Sequence, residues 1–462
     1  MEGEQHWDTF GVGSTCCFGG HNLAVADIDD DGLGEIITGG FAYSDLSNST
    51  LRRAFAPLKI WNWDGMKFIL KKSYNWTGYL RCVYTGDIDC DGCVELITAG
   101  GLLNTTGIFS SLRILVYNGE DWVLSGSYEG KEVITSVFVS DVDGNGEKEI
   151  IITGASLNGN SSVIQIMLFN WDGKDIKFNT SVDCFEPGKG QLNSVYACDL
   201  DYDGKVEIIA VGYSGTVKNS SGYLGIWQFN GAKFSQKSEI AWQKMGGAYS
   251  VDVAGNPMGN TMASKLKVSD VDADGVQEII TGGFTYDGSK VEGQLRIWSW
   301  NGETLRLEKS QEWAILDITN VTSLSFGDVD GDGEIEIVTS GYTAGYRSWA
   351  PNASGKTRGE LKIWSWNGNV LRLEQSKDWI VGEAFSAWNV ETGDVDNDSV
   401  IEIVTVGCMQ IGILCDPDLR IWMINLPQNI FEIHYFLIAT FMGIMAIITA
   451  IAFMLMRKWT TR

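Results

Sequence analysis

Carboxylates recur along this chain at a spacing that suits a hard cation. Seven nine-residue segments place an oxygen ligand at their first, third, fifth and ninth positions. They are Asp27, Asp29, Asp31 and Glu35; Asp87, Asp89, Asp91 and Glu95; Asp141, Asp143, Asn145 and Glu149; Asp199, Asp201, Asp203 and Glu207; Asp270, Asp272, Asp274 and Glu278; Asp328, Asp330, Asp332 and Glu336; and Asp394, Asp396, Asp398 and Glu402. Four such groups in nine residues repel one another unless a positive charge lies among them. Alternate side chains converge, a glycine at position six allows a sharp turn, and a late Glu can add both its oxygens. That donor set suits Ca2+. Up to seven Ca2+ ions are expected. Asn145 keeps an oxygen but loses a charge, and Ser399 replaces the turn glycine, so the loop at Asp394 is expected to hold its ion least well.

D-x-D-x-D-G also opens an EF-hand loop, but that motif places its Glu at position twelve between two helices. Here the Glu at position nine opens a β-branched run ended by glycine, such as EIITGG, EIIAVGY or EIVTSGY. Such runs read as strands.

Successive copies of the loop begin about 60 residues apart, the signature of a repeat architecture. Each unit carries a second signature after its loop, among them LKIWNWDG, LRILVYNGE, LGIWQFNGA and LRIWSWNGE. Alternating aliphatic and aromatic residues running into Asn-Gly or Asp-Gly indicate strands entering tight hairpins. A further strand follows in most units, for example LRLEKSQEW and LRLEQSKDW. With the strand before the loop this makes four. The expected fold is all-β: a seven-bladed β-propeller of four-stranded blades over residues 1–425. Trp61 and Trp63, like Trp364 and Trp366, share one strand face and are expected to pack between blades. The last unit lacks its fourth strand, and EGEQHWDTF at the N-terminus resembles one. Residues 4–10 are therefore expected to close the ring, removing its open sheet edges.

On these motifs the chain resembles FG-GAP (VCBS-type) repeat proteins, the family that includes the propeller of integrin α chains. Phe326-Gly327 precedes Asp328 as the literal FG, and ITGG or ITGA stands where that family has its GAP turn. The resemblance covers roughly residues 4–425 and implies the same propeller. It departs from integrin α chains in having a calcium loop in every blade, in lacking stalk domains, and in its tail RKWTTR. Pairing with an integrin β chain is not expected.

Residues 435–456 read YFLIATFMGIMAIITAIAFMLM, without a charge, and are long enough to span a bilayer as one helix. Residues 426–434 would be a short linker and 457–462 a basic tail. Arg457, Lys458 and Arg462 place that tail in the cytoplasm by the positive-inside rule, and the propeller outside the cell. MEGEQHWDTF shows no signal peptide, so the expectation is either that a leader has been removed or that the chain is tail-anchored with a cytosolic propeller. Sequons at Asn48, Asn75, Asn104, Asn160, Asn179, Asn219, Asn320 and Asn352 favour the outside. Asn397 begins another, but inside a loop. Of nine cysteines, Cys408 and Cys415 flank a hairpin and are candidates to bridge it. Cys90 and Cys93 form a poor zinc motif without a second pair.

The formal charge of −25 does not call for basic partners, because nearly half of the 59 Asp and Glu sit in the loops and calcium would offset much of them. No basic stripe suggests nucleic acid. Alternating strand directions put the calcium face toward the membrane and the connections 41–57, 246–264 and 342–360 away from it. Those connections carry Arg52, Arg53, Tyr346, Arg347 and Trp349, and loops on a rigid scaffold are where recognition resides. The function expected is a membrane-anchored, calcium-stabilised adhesion or surface-recognition module binding an extracellular protein or glycan. The alternative is a structural subunit of a surface layer or membrane complex. An enzyme is not expected, since the chain has three histidines and no G-x-S-x-G or H-E-x-x-H motif.

Overall fold

The computed structural model describes residues 3–6, 22–43, 54–104, 107–158, 161–216, 219–244, 250–251, 257–258, 261–287, 289–345, 357–380, 384–411 and 414–424. They form strands and turns only. The chain builds antiparallel units in which an inner strand runs into an acidic loop, a second strand leaves it, and a hairpin joins the third strand to an outer one. Val133 to Ser140, Ile150 to Asn158, Ile164 to Trp171 and Ile176 to Phe185 pair in that order in one such unit. The architecture is an all-β propeller of roughly four-stranded blades.

Hydrogen bonding does not, however, divide the chain into seven equal sheets. The larger sheets are four of four strands, one of five and one of eight, with a separate two-stranded ribbon. The five-stranded sheet gains the short strand Ala42–Tyr43, which pairs with Phe55 and Ala54. The eight-stranded sheet arises where Val291 and Ile318 pair in parallel, linking two units that pattern alone separates. The expectation of seven four-stranded blades is corrected accordingly.

Gly3–His6 pairs antiparallel with the last strand, His6 opposite Asp418 and Gly3 opposite Ile421. The rest of the stretch 4–10 lies outside the described residues.

The membrane anchor is also corrected. No helix among the described residues is long and apolar enough to cross a membrane. The expected linker, span and tail (426–434, 435–456 and 457–462) lie outside those residues. The single-pass anchor, the cytoplasmic C-terminus and the tail-anchored alternative are therefore withdrawn.

The core lies between neighbouring sheets. Second-strand residues Ile36, Ile97, Ile151, Ile209, Ile280 and Ile337 are fully buried. The third-strand tryptophans pack as the pattern implied. Trp61, Trp298, Trp364 and Trp422 are buried, and each indole N–H donates to a second-strand threonine: Thr38 at 3.1 Å, Thr281 at 3.1 Å, Thr339 at 3.1 Å and Thr405 at 2.9 Å. The polar edge of each ring is satisfied while its area leaves water, worth about 2–3 kcal/mol per ring.

The glycines within the second strands, which run on past them to Thr216 and Ala344, have a steric cause. A Cβ at Gly212 would lie 1.9 Å from the Gln191 carbonyl oxygen, and one at Gly341 would lie 1.9 Å from that of Asn320. Both face an inner-strand irregularity, between Leu192 and Ser194 and between Val321 and Ser323. The bulge pushes the inner backbone against the second strand, leaving no room for a side chain.

Candidate metal centres and central cavity

Each acidic loop is bound to its own backbone in the same way. The ninth-position Glu accepts the N–H of residue two, as in Ile28 to Glu35 at 3.0 Å, Ile88 to Glu95 at 2.7 Å, Leu200 to Glu207 at 2.9 Å and Val395 to Glu402 at 3.0 Å. The remaining three, Glu149, Glu278 and Glu336, do so at 3.1, 3.1 and 3.0 Å. The first-position Asp accepts the N–H of residue six, as at Gly146 to Asp141 (2.8 Å) and Gly275 to Asp270 (2.9 Å). The fifth-position oxygen accepts the N–H of residue seven, as at Cys93 to Asp91 and Val276 to Asp274, both 2.8 Å. The first-position Asp is held through both oxygens, as Asp270 is by the Asp274 and Gly275 N–H groups, whereas Asp274 at position five is held through one and keeps the other for the interior of the loop. Because the backbone engages one oxygen of every Glu, the bidentate role expected for it narrows to the second oxygen, which in Glu35, Glu149 and Glu207 also accepts from Lys71, Asn170 and Gln228.

These oxygens converge. Groups of three carboxylates with ligand atoms within 4.8 Å include Asp27, Asp29 and Asp31; Asp87, Asp89 and Asp91; Asp141, Asp143 and Glu149; Asp199, Asp201 and Glu207; and Asp270, Asp272 and Glu278. Acidic clusters capable of holding a cation are therefore present. Buried carboxylate oxygens of Asp87 (Oδ1), Asp328 (Oδ1) and Glu402 (Oε1) find no protein donor. A buried acceptor without a donor is costly, and a cation in the loop would satisfy it. Burial pushes the carboxyls of Glu95, Glu149, Glu278, Glu336 and Glu402 up to about 7, with neighbouring aspartates adding to the shift against the backbone hydrogen bond. Glu35 and Glu207 are raised for the same first reason.

In the seventh loop Ser399 adopts φ 70°, the left-handed conformation that Gly32, Gly204 and Gly275 hold at 85°, 84° and 90°. Its N–H still reaches Asp394 at 2.9 Å. The loop expected to be weakest thus keeps the shared geometry, at the cost of a strained residue.

Among the described residues, loops abut the hairpin of the next unit, as at Asp143 with Gly231, Asp272 with Gly368 and Asp396 with Gly65. Trp122 Nε1 donates to the Ile28 carbonyl at 3.3 Å, and a Cβ at Gly302 would fall 2.5 Å from Asp201 Oδ2. Gly302 also has φ +85°, so the Asn-Gly turn is required twice over. The clusters therefore sit at junctions between units.

The other candidates divide by position. Asn75 and Asn179 are exposed, whereas Asn320 is only 9% exposed within Ile318–Gly327, which leaves no room for a glycan. Asn48, Asn160 and Asn352, and the side chains of Asn104 and Asn219, lie outside the described residues. Cys408 is buried and disulfide-bonded; the side chain of Cys415 is outside the described residues. Cys90 and Cys93 are free and exposed. Residues 44–53, 252–256 and 346–356 of the expected recognition loops lie outside the described residues as well.

The inner strands enclose a cavity of about 350 Å³ that pattern reading did not single out. Lys265, Lys267, Ser325 and Glu391 line it, with Lys267 Nζ paired to the Glu391 carboxylate and 3.1 Å from Ser325 Oγ. Burial lowers Lys265 to about 8. The available signal was KLKV, two lysines alternating on an inner strand, with Asn389 and Glu391 at the matching positions of the last inner strand.

An FG-GAP-like repeat model matches residues 270–339. The resemblance expected over 4–425 is thereby narrowed to one stretch. No relative was found among curated proteins. Among solved structures, a Dos1 propeller is similar at 13% identity and TM-score 0.45, over 90% of this chain and 95% of that one. An exotype rhamnogalacturonan lyase, YesX, is similar at 14% identity and TM-score 0.45, over 90% of this chain and 75% of that one. At that distance neither carries an argument about function, and the one sequence-level kinship shown is the FG-GAP-like repeat at 270–339.

Proposed function

We propose that this chain is a calcium-stabilised β-propeller that serves as an extracellular recognition scaffold for a protein or glycan, without catalytic activity of its own. The observation that carries this reading is the shared wiring of the loops. In the fifth loop backbone N–H groups hold Asp270 through both oxygens and Asp274 and Glu278 through one each, and the Asp270, Asp272 and Glu278 carboxylates converge. Oxygen-only donors with a negative total charge suit Ca2+. Since the clusters lie at unit junctions, the cations hold neighbouring units in place. Disulfide-bonded Cys408 supports an oxidising compartment, where calcium is plentiful enough to fill weak sites.

The test is thermal unfolding of the full chain in EDTA and in millimolar calcium. Calcium is expected to raise the melting temperature by many degrees, because ligand binding to the folded state alone stabilises it by mass action. Identical melts under the two conditions would sink the calcium reading.

A further inference from the structure

Six outer strands carry one extra residue against their third-strand partners, and that bulge falls at Lys71, Ser125, Asn179, Lys237, Glu308 and Glu374. A bulge re-aims the side chain it carries. In the first unit that side chain reaches the acidic loop. Lys71 Nζ donates to Asp29 Oδ2 at 2.6 Å, to Glu35 Oε1 at 3.0 Å and to Asp31 Oδ2 at 3.3 Å. An ammonium group has three N–H donors and no acceptor, and here they point to the ligands at positions three, five and nine. The Asp29 and Glu35 side chains are 7% and 0% exposed. At that depth an unpaired charge is costly and a hydrogen-bonded partner offsets it.

Of the other bulge residues, Lys237 is also a cation, and its charge favours the ionised carboxyl of Asp203 in the fourth loop without a hydrogen bond to it; the rest differ. Ser125 Oγ donates to the Gly173 carbonyl, and Asn179 Nδ2 donates to Asn170. Glu308 and Glu374 bring negative charge and accept from Ser299 and Ser365. One position in the fold thus carries a cation, a neutral group or an anion according to the unit.

We propose that Lys71 is a tethered counter-cation. It stands where a metal ion stands in the other loops, so the loop beginning at Asp27 needs no metal while Lys71 is present. For the other six loops the proposal rests on the calcium reading; for the first it does not.

The experiment compares the full chain with its Lys71→Met and Lys71→Arg variants after metal is stripped with EDTA. Calcium uptake is read by isothermal titration calorimetry, and melting is followed in EDTA and in calcium. Lys71→Met is expected to take up one more equivalent of calcium than the parent. It should melt below the parent in EDTA and recover toward it when calcium is added. Lys71→Arg keeps the charge and should keep the parental uptake, which separates loss of charge from loss of packing. Binding of calcium by both the parent and Lys71→Met with equal uptake overturns the proposal. If neither binds calcium, the calcium reading of the other loops fails on its own, and the EDTA melts decide: a lower melt for Lys71→Met upholds the tethered cation, and equal melts overturn it.

Discussion

Glu402 Oε2 accepts the Val395 N–H at 3.0 Å, closing the seventh loop, and Glu336 closes the sixth onto Val329 at the same distance. The Glu has two tasks, one toward the backbone and one toward the interior of the loop. Substitutions at Glu336 separate them. Glu336→Ala removes both, and the amide left buried without an acceptor costs about 1–3 kcal/mol. Glu336→Gln keeps a carbonyl oxygen for the Val329 N–H and loses only the charge. Urea unfolding should therefore find Glu336→Ala destabilised with or without calcium. Glu336→Gln should be destabilised only in calcium. Equal behaviour of the two variants in EDTA would show that the backbone closure is unimportant.

The loops were legible in the sequence because their chemistry is local: positions one, five and nine bond amides within the same nine residues. What pattern reading missed lies far apart in the chain. Lys71 and Asp29 are 42 residues apart, and Lys267 meets Glu391 across 124. No periodicity reports either meeting: a bulge within one unit aims Lys71 at its own loop, and Lys267 meets Glu391 where inner strands of separate units face one cavity. The single parallel pairing of Val291 with Ile318, which merges two units into one sheet, likewise depends on how neighbouring units twist. Asn320 illustrates a different limit. Its sequon is intact, but the strand places it opposite Tyr342 with the side chain buried.

Ser399 pays a backbone cost that its six glycine counterparts avoid. An L-residue held at φ 70° is strained by about 1–2 kcal/mol relative to glycine. Part of that is offset by the extra freedom glycine has in the unfolded chain. Ser399→Gly should therefore stabilise the protein by about 1 kcal/mol in chemical denaturation, without altering the denaturant slope. A neutral or destabilising result would mean that the Ser399 hydroxyl contributes more than its conformation costs.

Gly341 predicts the opposite sign. A methyl group there would meet the Asn320 carbonyl oxygen at 1.9 Å, and that oxygen belongs to backbone that cannot swing aside. Gly341→Ala should cost about 1–3 kcal/mol, as overpacked sites do. Gly333→Ala, at a loop position where a Cβ meets nothing within 4 Å but φ is +91°, should cost only the conformational strain. Chemical denaturation of the pair in calcium separates the two causes. If both variants lose equal stability, the close approach is not what selects glycine at position 341.

The raised glutamates fix how the metal-free protein responds to pH. Glu95, Glu149, Glu278, Glu336 and Glu402 titrate near 4.5 when unfolded and are pushed up to about 7 when folded, burial being the main cause. Between those values the folded state binds more protons than the unfolded one, so stability falls as pH rises. Their contribution is fully present below about pH 4.5 and lost as pH passes through about 7. In EDTA the melting temperature should therefore decline from about pH 5 to about pH 7.5. Calcium reverses the balance, because it binds the ionised carboxylates and displaces their protons. Its stabilising increment should grow across the same interval, and calcium binding at about pH 6 should release protons to the buffer. Melting curves in EDTA and in calcium across this range, with calorimetry in two buffers of different ionisation enthalpy, measure both effects. A metal-free melt that rises over the interval would show that the loop glutamates are already ionised and held apart by other means.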